Sequence, residues 1–114
     1  LPYHVDSLKQ AAGVLALGYG DEMDGRVAAI ISERKRVTAA LGELPVTVWP
    51  SEANFVLFRP ETVPGHRVWE DLLQRSILVR DFSSTEGLAG CLRVTIGTEM
   101  EDDRFLVALR EVLP

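Results

Sequence analysis

The feature that most constrains the fold is a strict alternation of apolar and polar residues from Leu92 to Ile96. Successive side chains of a β-strand point to opposite faces of its sheet, so this pattern predicts a strand with one buried face and one polar face. Leu92, Val94 and Ile96 would lie on the buried face. Arg93 and Thr95 would then lie on the opposite face, where an arginine in mid-strand is unusual.

Three further segments predict the remaining strands of a small sheet. Residues 46–49 are β-branched and aromatic. Residues 54–58 are an apolar run too short for a helix, and residues 77–80 are another short, mostly apolar run. A short amphipathic helix at residues 68–73 separates the first pair of strands from the second pair. This arrangement predicts an α+β domain in which about four strands are covered by helices.

Three longer helices are predicted at the two ends of the chain. Ser7 has capping-box spacing with Gln10 and predicts the start of the first helix, which Gly18 and Gly20 should stop. Asp21 is the predicted N-cap of the second helix. We expect one buried stripe along that helix, formed by Met23, Val27, Ile30, Val37 and Leu41.

The last helix begins with the clearest local signal in the sequence. Thr98 and Glu101 have capping-box spacing, and an apolar stripe containing Phe105, Leu106 and Leu109 follows. The predicted order of elements is ααββαββα, in a single domain of residues 1–114. Because the chain opens at Leu1 without a methionine, we expect it to be part of a longer protein.

The composition excludes several classes of function. A net charge of −5 does not favour binding to nucleic acid or to anionic lipid. No apolar run approaches the roughly 20 residues that span a bilayer. The single cysteine, Cys91, excludes an internal disulfide and suits a reducing compartment, so a cytoplasmic protein is expected.

The sequence contains no self-evident catalytic or metal-binding motif. It has no glycine-rich phosphate loop, no Cys-x-x-Cys and no paired histidines, so catalytic, cofactor-binding and metal-ligating residues are all predicted to be absent. His4 and His66 are interpreted as surface or packing residues, and Cys91 as a core residue. The pattern assigns no role to Tyr3, His4 or Asn54.

Arg93 and Arg80 are the two candidates for a binding site. If their strands are neighbours, both guanidinium groups lie near one edge of the sheet, beside a polar loop at residues 81–90. Arginine binds carboxylates and phosphates through a planar fork, so this pair would suit a ligand with two anionic groups. The alternative is that Arg93 pairs with a surface glutamate and Arg80 with Asp81.

Several segments resemble the C-terminal part of histidinol-phosphate aminotransferases, which are fold-type I enzymes dependent on pyridoxal phosphate. The resemblance is carried in chain order by five segments, which are residues 1–5, 10–12, 51–58, 77–81 and 90–98. It implies the small domain of such an enzyme, closing over a cofactor that a large domain holds. Relatives of this kind are cytoplasmic homodimers that use histidinol phosphate and glutamate or 2-oxoglutarate.

The resemblance also implies roles for individual residues. Arg93 matches the arginine that binds the substrate α-carboxylate, and Arg80 matches one that helps to hold the substrate phosphate. Neither Lys9 nor Lys35 lies in a motif like that of the lysine that binds the cofactor. Pyridoxal phosphate is therefore expected only in the full-length enzyme, and this chain alone is expected to be inactive.

Two other functions remain open. An aromatic-amino-acid aminotransferase, or a related enzyme acting on phosphorylated amino acids, would share the Arg93 motif. A free-standing α+β module that binds a small anion for regulation belongs to a different class. Such a module would be encoded as a complete protein with its own initiating methionine.

Overall fold

The structure is a computed structural model that describes residues 4–114. Leu1, Pro2 and Tyr3 lie outside the described residues, and so do any expectations that concern them. The elements in chain order are α1 (Ser7–Ala16), a 3-10 turn (Leu17–Tyr19), α2 (Gly20–Gly42), β1 (Val46–Val48), β2 (Phe55–Pro60), α3 (Gly65–Gln74), β3 (Arg80–Asp81), β4 (Leu92–Thr95) and α4 (Glu99–Val112). The α+β class and the predicted order of helices and strands are confirmed.

The four strands form one antiparallel sheet in the order β1-β2-β4-β3. In β4 Leu92 and Val94 are buried, whereas Arg93 is half-buried and Thr95 is exposed. The alternation read from the sequence is therefore confirmed. Ile96 lies just beyond the strand, but its backbone N–H still donates to the carbonyl of Asn54 at 2.8 Å.

The core lies on one face of this sheet, under α2, α3 and α4. The largest fully buried side chains come from both layers and are Phe58, Leu41, Leu72, Leu92, Leu109, Val37, Val56 and Val68. Phe105, Leu106 and Leu109 of α4 are buried as predicted. We call the opposite side of the sheet, which carries Arg93, the open face.

The capping box of α4 is formed as predicted. The Thr98 hydroxyl accepts a hydrogen bond from the backbone N–H of Glu101 at 3.3 Å, and the Glu101 carboxylate accepts one from the backbone N–H of Thr98 at 2.8 Å. These bonds satisfy two backbone donors that a helix start otherwise leaves unpaired. The helix therefore begins directly after the strand that carries Arg93.

The first part of the chain differs from the sequence prediction. The N-cap of α1 is Asp6, whose carboxylate accepts from the backbone N–H of Lys9 at 2.9 Å, so Ser7 is already inside the helix. The glycines do not separate the two helices, because a 3-10 turn joins α1 to α2 at Gly20. Asp21 accordingly lies in the first turn of α2 and is not its cap.

The predicted buried stripe of α2 is present only in the second half of that helix. Val37 and Leu41 are buried, but Met23 is 66% exposed and Val27 is 43% exposed. No residue of α1 is buried. We call residues 5–31 the N-terminal arm, since none of them is fully buried and, among their apolar side chains, only Ile30 packs against the core. The arm explains a radius of gyration of 17.1 Å, against about 13 Å for a compact chain of this length.

The third strand is shorter than predicted and begins at Arg80, not at Ile77. Helix α3 ends in a Schellman motif, in which Ser76 has a positive φ of 60° and the N–H of Ile77 bonds to the carbonyl of Leu72. The carbonyl of Val79 accepts from the indole N–H of Trp69 at 3.0 Å. Residues 77–79 therefore bond to α3, which leaves only Arg80 and Asp81 to pair with β4.

Candidate functional site

The open face brings Arg80 and Arg93 together. The two residues are direct register partners on adjacent antiparallel strands, and Leu57 of β2 lies beside Arg93 in the same row. Directly paired residues of antiparallel strands place their Cβ atoms about 5 Å apart. The expectation that both guanidinium groups lie at one edge of the sheet is confirmed.

These two arginines have no ion-pair partners in the described part of the chain. Within residues 4–114 no carboxylate oxygen lies within 4.0 Å of either guanidinium group. The Nε atom of Arg93 is buried and has no hydrogen-bond partner there. Like charges placed directly opposite destabilise a sheet, and a buried donor without an acceptor adds to that cost. An anion bound between the two side chains would remove both penalties.

Aromatic rings hold the guanidinium groups in place of carboxylates. The guanidinium carbon of Arg93 lies 4.8 Å from the centre of the Phe55 ring and 5.7 Å from that of Phe82. Arg80 lies 5.6 Å from the same Phe82 ring. Phe82 therefore contacts both cations. Cation–π contacts orient a guanidinium group without neutralising its charge, so both arginines keep their capacity for an anion.

A third arginine of the open face was missed by the sequence reasoning. Arg59 lies in β2 on the same face as Leu57, and its guanidinium carbon is 5.6 Å from the centre of the Trp49 ring. No carboxylate of residues 4–114 forms an ion pair with it either. Its period-two spacing from Phe55 and Leu57 would have identified the face. The open face is thus locally basic in a chain of net charge −5.

The alternative pairing of Arg80 with Asp81 is wrong. Asp81 is the register partner of Leu92 and points to the helix-covered face, where its carboxylate lies 2.7 Å from Nδ1 of His66. Its other oxygen accepts from the backbone N–H of Ser83 at 2.8 Å. Burial would raise the pKa of Asp81, but the bonds from Ser83 and His66 outweigh it and lower that pKa. Asp81 therefore stays charged and shapes the loop that follows Arg80.

His66 makes specific polar contacts in addition to the surface or packing role that the sequence suggested. Its ring stacks on Trp69 at 5.5 Å between centres, and its Nε2 lies 3.6 Å from the Glu70 carboxylate. The hydrogen bond with Asp81 is the main cause that raises the pKa of His66, and the charge of Glu70 adds to it. The sequence showed no sign of this contact, because α3 and β3 meet only in the folded chain.

His4, Asn54 and the two lysines lie outside β3 and β4, which carry Arg80 and Arg93. His4 is exposed before α1, Cys91 is a buried free thiol, and Asn54 is exposed with its backbone carbonyl bonded to Ile96. Lys9 lies 3.2 Å from Asp6 on α1, and Lys35 is exposed on α2.

Two kinds of feature are absent from residues 4–114. These residues hold no group of three or more histidine, cysteine or acidic side chains that could bind a metal ion. No helix in this part of the chain is both long and apolar enough to cross a membrane.

Comparison with known proteins gives one consistent family. The chain is 46% identical to a histidinol-phosphate aminotransferase of Corynebacterium efficiens over 98% of its own length and 29% of that protein's length. It is 45% identical to one from Mycolicibacterium smegmatis, over 98% of the chain and 28% of that protein. The chain thus spans under a third of the length of these relatives.

A solved structure agrees with the sequence relatives. The histidinol-phosphate aminotransferase of Clostridium acetobutylicum superposes with a TM-score of 0.89 at 28% identity, covering 98% of this chain and 34% of that one. The sequence profile of class I and II aminotransferases matches residues 1–109. Matches over nearly the whole chain, in both sequence and fold, show that it belongs to the class I and II aminotransferase family.

Proposed function

We propose that this chain is the substrate-binding small domain of a histidinol-phosphate aminotransferase. The whole enzyme would exchange an amino group between histidinol phosphate and 2-oxoglutarate in histidine biosynthesis. The single observation that carries the proposal is the pair of register partners Arg80 and Arg93 on the open face. Neither of them forms an ion pair with a carboxylate of residues 4–114. The names of the relatives supply the substrate, and this basic pair supplies a reason why residues 1–114 would bind it.

The anions of the substrates account for two adjacent arginines. Histidinol phosphate carries a phosphate and no carboxylate, whereas glutamate carries two carboxylates. Arg93 would bind the α-carboxylate of glutamate through its planar fork, in a partly desolvated position where charge-assisted bonds are strong. Arg80, which is more exposed, would bind the phosphate of the other substrate or the second carboxylate of glutamate.

The family implies pyridoxal phosphate, but the residues of this chain do not fit that cofactor on their own. The lysine that binds it must stand beside the substrate, whereas Lys9 lies 3.2 Å from Asp6 on the exposed helix α1 and Lys35 is exposed on α2. Transamination also requires this lysine to move a proton from the substrate carbon that bears the amino group to a carbon of the cofactor. We therefore assign the cofactor site to a large domain outside residues 1–114.

The N-terminal arm supports the same division of the protein. Its exposed apolar residues are Val5, Leu8, Val14, Leu15, Leu17, Tyr19, Met23, Val27 and Ile31. A soluble monomer rarely exposes so many apolar side chains in one continuous segment. Such a segment is typically covered by another protein surface. In the proposed enzyme that surface is the large domain or the second subunit of a cytoplasmic homodimer.

The test is amino transfer by the full-length protein that contains this chain. Purified with pyridoxal phosphate, it should convert 2-oxoglutarate to glutamate in the presence of histidinol phosphate. Histidinol without the phosphate is the matched substrate, and it should react with a much lower kcat/KM because the partner of Arg80 is missing. Equal efficiency with both compounds, or a preference for aromatic amino acids, would replace this proposal with the aromatic aminotransferase.

A further inference from the structure

The first turn of α3 contacts both ends of the loop that separates the two arginines. This β3–β4 loop comprises residues 82–91. At its start, His66 bonds to Asp81, which in turn bonds to Ser83. At its end, Gly65 packs so closely on the backbone that an added Cβ would lie 2.2 Å from the carbonyl oxygen of Gly90.

Helix α3 also holds the residue that precedes Arg80. Trp69 donates to the carbonyl of Val79, and its ring is stacked with His66 at an interplanar angle of 16°. Arg80 thus lies between two residues that are both bonded to α3, Val79 by its backbone and Asp81 by its side chain. The arginine itself points to the opposite face of the sheet, where the helix does not obstruct a ligand.

We infer that His66 is a positioning residue for the anion site: through Asp81 it fixes the backbone at Arg80 and the start of the loop that carries Phe82. The inference rests on the proposed function, because it assigns Arg80 to the phosphate of the substrate. His66 does not contact the open face and acts only through Asp81. Its effect is therefore on how well the guanidinium group of Arg80 is ordered before the substrate binds.

The shortness of β3 makes such a support necessary. Only Arg80 and Asp81 pair with β4, and both lie at the edge of the sheet. The Asp81 carboxylate connects this edge both to α3 and to the loop. Without His66, the Asp81 carboxylate would keep its hydrogen bond with Ser83 but lose its hydrogen bond to α3. Arg80 and Phe82 would then sample more positions, and ordering them would weaken the binding of the anion.

The charges around His66 give the contact a dependence on pH. The groups that face its ring are Asp81 from β3 at 2.7 Å and Glu70 from its own helix at 3.6 Å, both acidic. Protonation of His66 gives its bond to the ionised Asp81 a charge on both partners and hence makes it stronger. The support for Arg80 should therefore weaken as the pH rises through the raised pKa of His66.

The experiment compares His66→Ala, His66→Asn and Arg67→Ala in the full-length holoenzyme. Asparagine places an N–H donor near the position of Nδ1 but carries no charge, and Arg67 is a matched control that bonds to Asp71 of its own helix. The contact between His66 and Asp81 should contribute modestly, because the side chain of His66 is 58% exposed. We therefore expect His66→Ala to raise the KM for histidinol phosphate by roughly three- to tenfold, with kcat nearly unchanged. His66→Asn should recover most of the loss, and Arg67→Ala should leave the KM unchanged.

A pH profile separates positioning from a general loss of structure. The phosphate of the substrate titrates with a pKa near 6, so the informative quantity is the ratio of the KM values of the His66→Asn variant and the wild type. This ratio should be largest at acidic pH and should approach one as His66 loses its proton. An unchanged KM in His66→Ala, or a ratio independent of pH, would overturn the inference.

Binding of inorganic phosphate distinguishes failure of this inference from failure of the proposed function. Calorimetry on the full-length protein measures the affinity of the anion site for phosphate without turnover. If the wild type binds phosphate and His66→Ala binds it equally well, the positioning role is wrong while the proposed function stands. If the wild type neither binds phosphate nor reacts with histidinol phosphate, the proposed function is wrong and the inference falls with it.

Discussion

Arg80 and Arg93 are paired directly across two antiparallel strands, with Phe82 in contact with both guanidinium groups. The pairing joins two like charges, which costs stability, while the ring contacts hold the two groups in place without neutralising them. A protein surface rarely keeps such a pair unless an anion joins it. The predictions below start from this relationship.

Replacing Arg93 with lysine should damage the half-reaction with glutamate in the full-length enzyme. Lysine keeps the charge but loses the fork, and a lost charge-assisted hydrogen bond costs ~1.5–3 kcal/mol, or roughly one to two decades in kcat/KM. Steady-state kinetics with glutamate measure the effect. Arg110→Lys, on the exposed side of α4, is the matched control and should have no effect. An Arg93→Lys enzyme with normal kcat/KM would contradict the assignment.

Replacing Arg80 with alanine should discriminate between substrates. The loss should be at least about tenfold larger in kcat/KM for histidinol phosphate than for phenylalanine, because only the former presents a phosphate. The comparison uses one enzyme preparation and both substrates. An equal loss for the two would move the aromatic-amino-acid aminotransferase into first place, with the family membership unaffected.

The isolated chain should not bind pyridoxal phosphate covalently. Lys9 and Lys35 are exposed on α1 and α2, and neither lies in a motif like that of the cofactor lysine. Incubation with the cofactor, reduction with borohydride and peptide mapping measure the labelling. Stoichiometric modification of one of these lysines would contradict the division between the two domains.

The isolated chain should associate through the N-terminal arm. Leu15 is 70% exposed and Leu17 is 82% exposed, and burying such side chains in a dimer is favourable by about 1.5–3 kcal/mol each. Sedimentation should show a dimer that dissociates when Leu15 and Leu17 are both changed to glutamate. Leu78→Glu changes an equally exposed leucine outside the arm and should leave the dimer intact. A wild-type monomer at all concentrations would oppose this expectation.

Loss of the proton from Asp102 should lower the free energy of unfolding as the pH rises. It is 2% exposed, one carboxylate oxygen accepts from the N–H of Gly97, and the other has no partner among residues 4–114. Burial is the main cause that raises its pKa, and the nearby Glu33 adds to it. A folded-state pKa above the unfolded value contributes stability that is complete below the unfolded pKa and is lost as the pH rises through the folded pKa.

The Asp102→Asn variant tests this effect, because asparagine keeps the acceptor for Gly97 and adds a donor towards Glu33. Urea denaturation of the full-length protein should show it more stable than the parent by about 1 kcal/mol at neutral pH, with the gain vanishing in acid. Glu52→Gln is the control, since Glu52 is exposed and forms no ion pair among residues 4–114. A gain that is the same at every pH would show that proton binding by Asp102 is not its cause.

The local sequence determined the strand at residues 92–96 and the start of α4 at Thr98. Both depend on neighbours within a few positions: alternation assigns Leu92 and Arg93 to opposite faces, and the capping box closes within one turn. For the same reason the order of helices and strands could be predicted. Strand periodicity singled out Arg93 as an unusual arginine in mid-strand, with Arg80 near it, and the family resemblance added the roles that the two would have in binding substrate.

Only the tertiary structure decided how these parts meet. Antiparallel register made Arg80 the partner of Arg93. Arg80 forms no ion pair with Asp81, because the side chain of Asp81 faces α3 and bonds to His66. The same helix shortened β3, because Trp69 takes the carbonyl of Val79. The first half of α2 has the apolar spacing of a buried helix, yet Met23 is exposed because no element of residues 4–114 covers it. Burial is a property of two surfaces, and one sequence segment encodes only one of them.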